Sequence, residues 1–472
     1  MTDTAVPRIQ TKKQLRKTLN ISQKEAVASA AMTATSDNFL NPLAIFFQAS
    51  ALQMSWLTAF PQLIGALSQL LSVWLGSVLP RRPLVYITAF IQTAVVMAIA
   101  ALALINPGTA VHWLLILAIL YHSSTNIIQP HWRAWMGQLV PARRRGTFFA
   151  ARTRLTMATS VLIFLGGGAF LSLSEKAGIS WIGFAILFAV AGIGRFFSSR
   201  YLYLMHDPAA KLIKSTTIVS GTFKQMMSSM QDKDFRNYSF FIAGMQGMVA
   251  ISAPYFAVYM LRDLQFTYFD FAINSIASIL TQFITLKFWG KVSDRFGNHL
   301  VIMITSIIIM MLPLLWLGSP SKLYLIGVQI MAGLGWSGFT LSTANYLYDI
   351  RPHRSNFATY AAVQSAIAAV LVFCGALFGG WVAEFSANST YLQEHLRSTL
   401  LMVFCASSFM RILVVIWFLP KLAEPKIRHR PQVLQLVLRV SRFNAISGMV
   451  MDWLTVTSKK KNQKKDSDKH KK

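Results

Sequence analysis

The chain has 472 residues, 54% of them hydrophobic and only 13% charged, with a mean hydropathy of +0.47. Soluble domains carry roughly a quarter charged residues, so a water-soluble protein of this length is excluded. The formal net charge of +28 would suit a nucleic-acid partner, but its placement along the chain excludes that reading as well.

Residues 1–27 are polar and basic and lead straight into a full-length apolar run, which predicts a cytoplasmic N-terminal segment rather than a cleaved signal peptide. Apolar runs then recur at 28–48, 54–78, 84–106, 112–139, 147–172 and 179–203. After a polar connection at 204–236 they resume at 237–261, 270–290, 299–318, 323–350, 357–384 and 398–420. Each is long enough to cross about 30 Å of hydrocarbon as a helix. The expectation is an all-α polytopic membrane protein with twelve transmembrane helices: an N-terminal six-helix bundle (28–203), a cytoplasmic central loop (204–236) and a C-terminal six-helix bundle (237–420). Cys374 and Cys405 fall inside predicted spans, so no disulfide or metal framework is implied.

The last segment, 421–472, is a basic cytoplasmic tail. Within it "QVLQLVLRVSRFNAISGMVMDWLTV" (432–456) carries Arg439, Arg442 and Asp452, charges too costly for mid-bilayer, so an amphipathic interfacial helix is expected there. The polybasic end "KKKNQKKDSDKHKK" would touch anionic lipid.

With the N-terminus in the cytoplasm, 39 of the 45 Lys and Arg residues fall on the cytoplasmic side. Lys176, Arg262, Lys322 and Arg397 fall outside, and Arg133 and Arg411 within spans. This asymmetry follows the positive-inside rule, places both termini in the cytoplasm and makes the charge topological. The short external loops have a bacterial character, so a bacterial inner membrane is expected and the glycosylation sequon "NST" (388–390) is discounted.

Six spans per half give both halves one orientation, as parallel repeats require. Weak similarity supports this. "GSVLPRRPLV" (76–85) precedes "GKVSDRFGNHLV" (290–301) by 214 residues, and Pro141 of "QLVPARRRGTFFAAR" precedes Pro352 of "DIRPHRSNFATY" by 211. Gly-rich stretches follow in each half, "LGGGAF" (165–170) and "LFGGWV" (377–382).

"GKVSDRFGN" (290–298), between the eighth and ninth spans, resembles the loop signature of the major facilitator superfamily, Gly-x-x-x-Asp-Arg-x-Gly with basic residues. The resemblance in topology covers nearly the whole chain, the signature only short loops. It implies the family's fold, two pseudo-symmetric six-helix bundles, and a cytoplasmic latch built on Gly290, Asp294, Arg295 and Gly297, with Asp349 at the end of span ten as acid partner. The corresponding basic loops add Gly76, Arg81, Arg82, Arg145 and Arg354. The first half departs from the pattern: Pro80 replaces the signature's Asp and Gln138 stands opposite Asp349, so its side of the latch is expected to rest on neutral hydrogen bonds.

Polar residues within spans must face protein or water, since lipid cannot satisfy them. They concentrate in spans one, four, seven and ten, and by resemblance those four line the family's central cavity. The candidates for solute binding or coupling are Asp37, Asn38, Asn41, His122, Asn126, Gln129, His131, Arg133, Gln246, Tyr255, Trp336, Asn345 and Tyr346. Prolines 42, 130 and 254 suit helices that bend as access alternates. Counted from the expected span ends, Asp37 and Arg133 lie about 14 and about 9 Å deep, near enough to pair. Such a carboxylate would couple proton movement to solute movement, form a permanent structural ion pair, or touch solute. An isolated histidine within a span, such as His122 or His131, is more often bonded to a neighbouring helix than to solute.

No phosphate-binding Gly-Lys-Ser/Thr loop, metal-spaced His/Glu pair or cofactor motif is present, so neither an ATP-driven pump nor an enzyme is expected. Two functions remain: a monomeric secondary active transporter moving a small organic solute by alternating access, with protons as coupling ion, or a non-transporting sensor or membrane assembly factor of the same fold.

Overall fold

The computed structural model describes residues 12–140, 145–207, 230–350 and 357–422. Among these are twelve long helices: α1 (Lys12–Phe46), α2 (Ala51–Val78), α3 (Arg81–Ile105), α4 (Ala110–Leu139), α5 (Arg145–Lys176), α6 (Ser180–Leu204), α7 (Lys233–Val258), α8 (Tyr268–Phe296), α9 (Asn298–Leu315), α10 (Lys322–Ile350), α11 (Phe357–Asn388) and α12 (Leu400–Phe418). A π-helical turn, Tyr259–Asp263, prolongs α7, and a six-residue helix, Thr390–His395, precedes α12. Ten of the long helices are long and apolar enough to cross a membrane. The expected interfacial helix at 432–456, the polybasic end and most of the central connection lie outside the described residues, as do Arg354 and the side chains of Arg145 and Asp349.

Helices α1–α6 form one bundle and α7–α12 the other, joined where α2 packs along α11 and α5 along α8. Exposed Trp113, Ile116 and Leu120 on α4, or Phe409, Leu413 and Ile416 on α12, give the apolar perimeter that lipid requires. Small residues set the closest approaches: Gly247 of α7 and Gly375 of α11 touch backbone to backbone, leaving no room for a Cβ.

Two connectors display the internal repeat in three dimensions. Gln48, between α1 and α2, and Gln265, between α7 and α8, both adopt positive φ, 58° and 52°. Each is followed two residues later by a capping box, Ser50 with Gln53 and Thr267 with Asp270. In the sequence these are "QASALQ" (48–53) and "QFTYFD" (265–270), a constant offset of 217.

These connectors lie at the end of the molecule opposite its Lys- and Arg-rich, or basic, end. Here the bundles meet. The Tyr255 hydroxyl donates to the Ala51 carbonyl at 2.9 Å, and the Phe269 amide donates to Ser172 Oγ at 2.9 Å. Phe60 meets Phe373 edge-on at 5.4 Å and Phe164 meets Phe271 at 6.0 Å. Gly168 of α5 lies against Ala272 and the Tyr268 carbonyl of α8. All these contacts fall in the half of each helix remote from the basic end. Towards the basic end, Gln129 and Arg133 of α4, Gln246 of α7 and Asn345 of α10 are exposed.

Candidate functional site

The site begins with a local pattern shared by α1 and α4. Residues 35–42, "TSDNFLNP", and 123–130, "SSTNIIQP", align as Ser/Thr-Ser-x-Asn-x-x-Asn/Gln-Pro. In both, the asparagine amide turns back onto its own helix: Asn38 Nδ2 donates to the Ala34 carbonyl at 2.7 Å and Asn126 Nδ2 to the His122 carbonyl at 2.9 Å. In both, the proline four residues on has no N–H, so the asparagine's own carbonyl loses its helical partner. The two helices run antiparallel, as inverted repeats within a six-helix half do. The signal is plain in the sequence once the two helices are aligned, and reading the spans one by one missed it.

Asp37, within the α1 copy, is exposed yet bonded to protein: the Tyr121 hydroxyl of α4 donates to its Oδ1 at 3.0 Å. Tyr121 is itself buried and held by α3, where Gln92 Nε2 donates to its carbonyl at 3.1 Å. A carboxylate at membrane depth cannot face lipid, so its exposed side looks into the interior. On α4, His122, Asn126, Gln129 and Arg133 follow at spacings of four, three and four, one helical face. His122 and Asn126 are half-buried, Gln129 and Arg133 exposed. Across the opening, α7 exposes Gln246 and Ala253, and α10 exposes Thr340, Ala344 and Asn345. That wall is uncharged among these residues. Asn38 and Asn41 are half-buried, as is Trp336, which meets Phe339 edge-on at 5.9 Å.

The expected Asp37–Arg133 pair does not form. Contacts of Ser22 with Met136 and of Asp37 with Tyr121 set the register of α1 on α4. Arg133 therefore lies twelve residues, about 18 Å, nearer the basic end than Asp37, level with Glu25. The apolar run begins at residue 28, whereas α1 begins at Lys12. Its polar N-terminal turns are seated by Thr18, Ser22 and Glu25, which are buried at helical spacing.

Glu25 is 3% exposed and accepts from Arg152 Nη2 of α5 at 2.6 Å and from Ser198 Oγ of α6 at 3.1 Å. Buried Arg195 donates to the same Ser198 at 3.0 Å and to Ser29 at 3.3 Å. Arg152 lies 4.5 Å over the Trp132 ring. Sequence reasoning missed this network, counting Glu25 in a cytoplasmic segment and Arg152 and Arg195 among basic connections. Glu25 with Ser22 and Ser29 at helical spacing, and one arginine in "ILFAVAGIGRFF", were the available signals.

Other candidates serve packing. His131 Nε2 donates to the Ser72 carbonyl of α2 at 2.9 Å, which fixes its protonated nitrogen, and its ring fills the space beside Gly76. Tyr255 belongs to the closed end between the bundles. Tyr346 is fully buried against Tyr238, ring centres 5.5 Å apart, inside the second bundle. Neither lines the opening.

At the basic end, Arg81 pairs with Asp207 and donates to Gln138 Oε1 at 3.0 Å, so the first half holds a carboxylate as well as a neutral bond. Arg82 caps the Tyr203 carbonyl and lies 5.3 Å over that ring. All of these contacts join α3, α4 and α6 of one bundle. Gly297, at φ 88°, ends α8 and starts α9 directly. Asp294 is exposed, Arg295 sits 5.3 Å over Phe296, and Gly290 packs near Leu341 of α10.

The second bundle holds a buried arginine of its own. Arg411 of α12 donates from Nη1 to the Ile309 carbonyl and from Nη2 to Ser252 Oγ, both at 2.9 Å. Pro313 leaves that Ile309 carbonyl without a helical donor, and Arg411 replaces it.

The sequence model of the Major Facilitator Superfamily matches residues 238–458. No curated protein matches the chain in sequence. Solved structures share its fold. A bacterial homologue of the human lysosomal transporter Spinster, inward-facing and occupied, is 14% identical over 88% of this chain and 100% of its own, with a TM-score of 0.59. The nucleoside transporter NupG is 14% identical over 87% of this chain and 99% of its own, at 0.63. A D-xylose–proton symporter is 13% identical over 88% and 100%, at 0.64. At such identities the likeness is one of fold.

Proposed function

We propose that this chain is a secondary transporter of the major facilitator superfamily that moves a small organic solute by alternating access and couples that movement to protons. The observation that carries the reading is Asp37: an exposed carboxylate beside a polar stripe, in a molecule whose described bundle-to-bundle bonds gather at the end remote from the basic one. A scaffold has no need of a wet, charged interior, which costs stability in hydrocarbon. By the positive-inside rule the basic end is cytoplasmic, which makes this the inward-facing state.

In this reading solute enters between α1, α4, α7 and α10 and rests along the polar stripe of α4, on the basic-end side of the Asp37–Tyr121 level. Asp37 takes a proton when one face is open and releases it at the other, its hydrogen bond to Tyr121 holding the carboxyl towards the opening. Rocking the bundles about the α2–α11 and α5–α8 seams would close the basic end and part the Tyr255–Ala51 contact.

Transport assays in proteoliposomes test this. Solute accumulation driven by an imposed pH gradient is expected for the native chain. Asp37→Asn is expected to abolish gradient-driven accumulation while leaving solute counterflow, which needs no proton, largely intact. Undiminished gradient-driven accumulation by that variant would remove the coupling role. Absence of flux for every solute class in the native protein would remove the transporter reading.

A further inference from the structure

We infer that the solute is an organic anion, its acidic group held by Arg133 and its hydroxyl or amide groups directed at the carbonyl of Asn126; this rests on the transporter reading above. Four observations carry it.

Arg133 is exposed and, among the described residues, has no ion pair. It shares one face of α4 with Asn126 and Gln129, while the apolar exposed residues Trp113, Ile116 and Leu120 mark another face as the lipid side. Its guanidinium therefore points into the opening. The only described carboxylate at that level of the bundle, Glu25, is already taken by Arg152 and, through Ser198, by Arg195.

A second arginine faces the same cleft. On α5, Gly168 and Phe164 touch α8, and the same face continues through Val161 and Met157 to Arg154 at spacings of four, three, four and three. Where the bundles have diverged, Arg154 is exposed. The wall of the opening thus carries surplus positive charge, and low-dielectric walls focus such a field on anions. Guanidinium forks bind carboxylate and phosphate in two-point geometry.

The remainder of the stripe says what else the solute carries. Pro130 frees the Asn126 carbonyl, an acceptor with no helical donor, and Gln129 beside it offers both donor and acceptor. Arg133 and Asn126 are seven residues apart, about 10 Å, so a solute of that length engages both.

The purified full chain in lipid nanodiscs is titrated with gluconate and with glucose 6-phosphate, against glucose as the uncharged control and sodium sulfate as the simple anion, following thermal unfolding. Saturable stabilisation by gluconate or glucose 6-phosphate, with none from glucose, is expected. Arg133→Gln should weaken that binding about tenfold or more. Arg133→Lys, which keeps the charge but not the fork, should weaken it less. Both variants should unfold at the native temperature without ligand, since Arg133 holds no other described group. Stabilisation by glucose equal to that by the anions would overturn the inference, as would equal stabilisation by sulfate. So would an anion affinity unchanged in Arg133→Gln, the result expected if this arginine serves only topology. Counterflow of an uncharged solute that survives Arg133→Gln would sink the anion assignment and leave the transporter reading standing.

Discussion

The Tyr121 hydroxyl donates to the Asp37 carboxylate at 3.0 Å, tying α1 to α4 at an exposed carboxyl group. Because Gln92 anchors the Tyr121 backbone from α3, three helices fix the direction of one carboxyl group. Tyr121→Phe removes the only hydroxyl donor described on Asp37 without changing the packing of the ring. We expect it to lower gradient-driven accumulation several-fold and to leave counterflow and unfolding temperature near native. A variant that loses both activities together would assign Tyr121 to solute binding instead.

Glu25 is the sole described acid between two guanidiniums, so its removal leaves buried charge uncompensated. Glu25→Gln is expected to destabilise the first bundle by about 3 kcal/mol, read as a clear drop in the thermal unfolding midpoint. Adding Arg152→Gln should recover part of the loss, because the orphaned charge goes with it. Independent, additive effects of the two substitutions would contradict the network.

Arg411 and Pro313 act on one carbonyl, and a double-mutant cycle can show it. Pro313→Ala restores the backbone N–H that bonds Ile309, so the arginine's donor is no longer needed there. Arg411→Met should therefore be less costly in the Pro313→Ala background than in the native one, by about 1–2 kcal/mol. A coupling near zero would mean that the Ile309 contact contributes nothing.

The left-handed glutamines offer a paired test of the repeat. At positive φ a β-branched residue is strained and glycine is not. Gln48→Val should cost about 1–2 kcal/mol relative to Gln48→Gly, and Gln265→Val against Gln265→Gly should show a similar difference. Unequal responses would indicate that one connector relaxes and the symmetry is only formal.

Accessibility separates the faces of α4. With Cys374 and Cys405 replaced by serine, a cysteine at Gln129 should react with a membrane-impermeant thiol reagent supplied from the basic side, whereas one at Ile116 should not. Protection of the Gln129 position by a ligand found in the binding titration would place that ligand in the opening. Reaction at both positions alike would argue against an enclosed aqueous route.

Hydropathy alone made most of the long helices and their order legible, because a membrane helix must satisfy its backbone within itself and shows its length in composition; α1 and α2 fall outside the ten that are apolar enough to span. The loop "GKVSDRFGN" carried the family resemblance, and the polarity of spans one, four, seven and ten the expectation of a cavity wall, for the same local reason. What pairs with what was decided only in three dimensions. Asp37 meets Tyr121 rather than Arg133, and Glu25 joins Arg152 and Ser198, because α1 continues helically through residues that composition assigns to water. Register between antiparallel helices depends on which side chains interlock along their whole length, and a shift of a few residues there moves a charge by many ångströms.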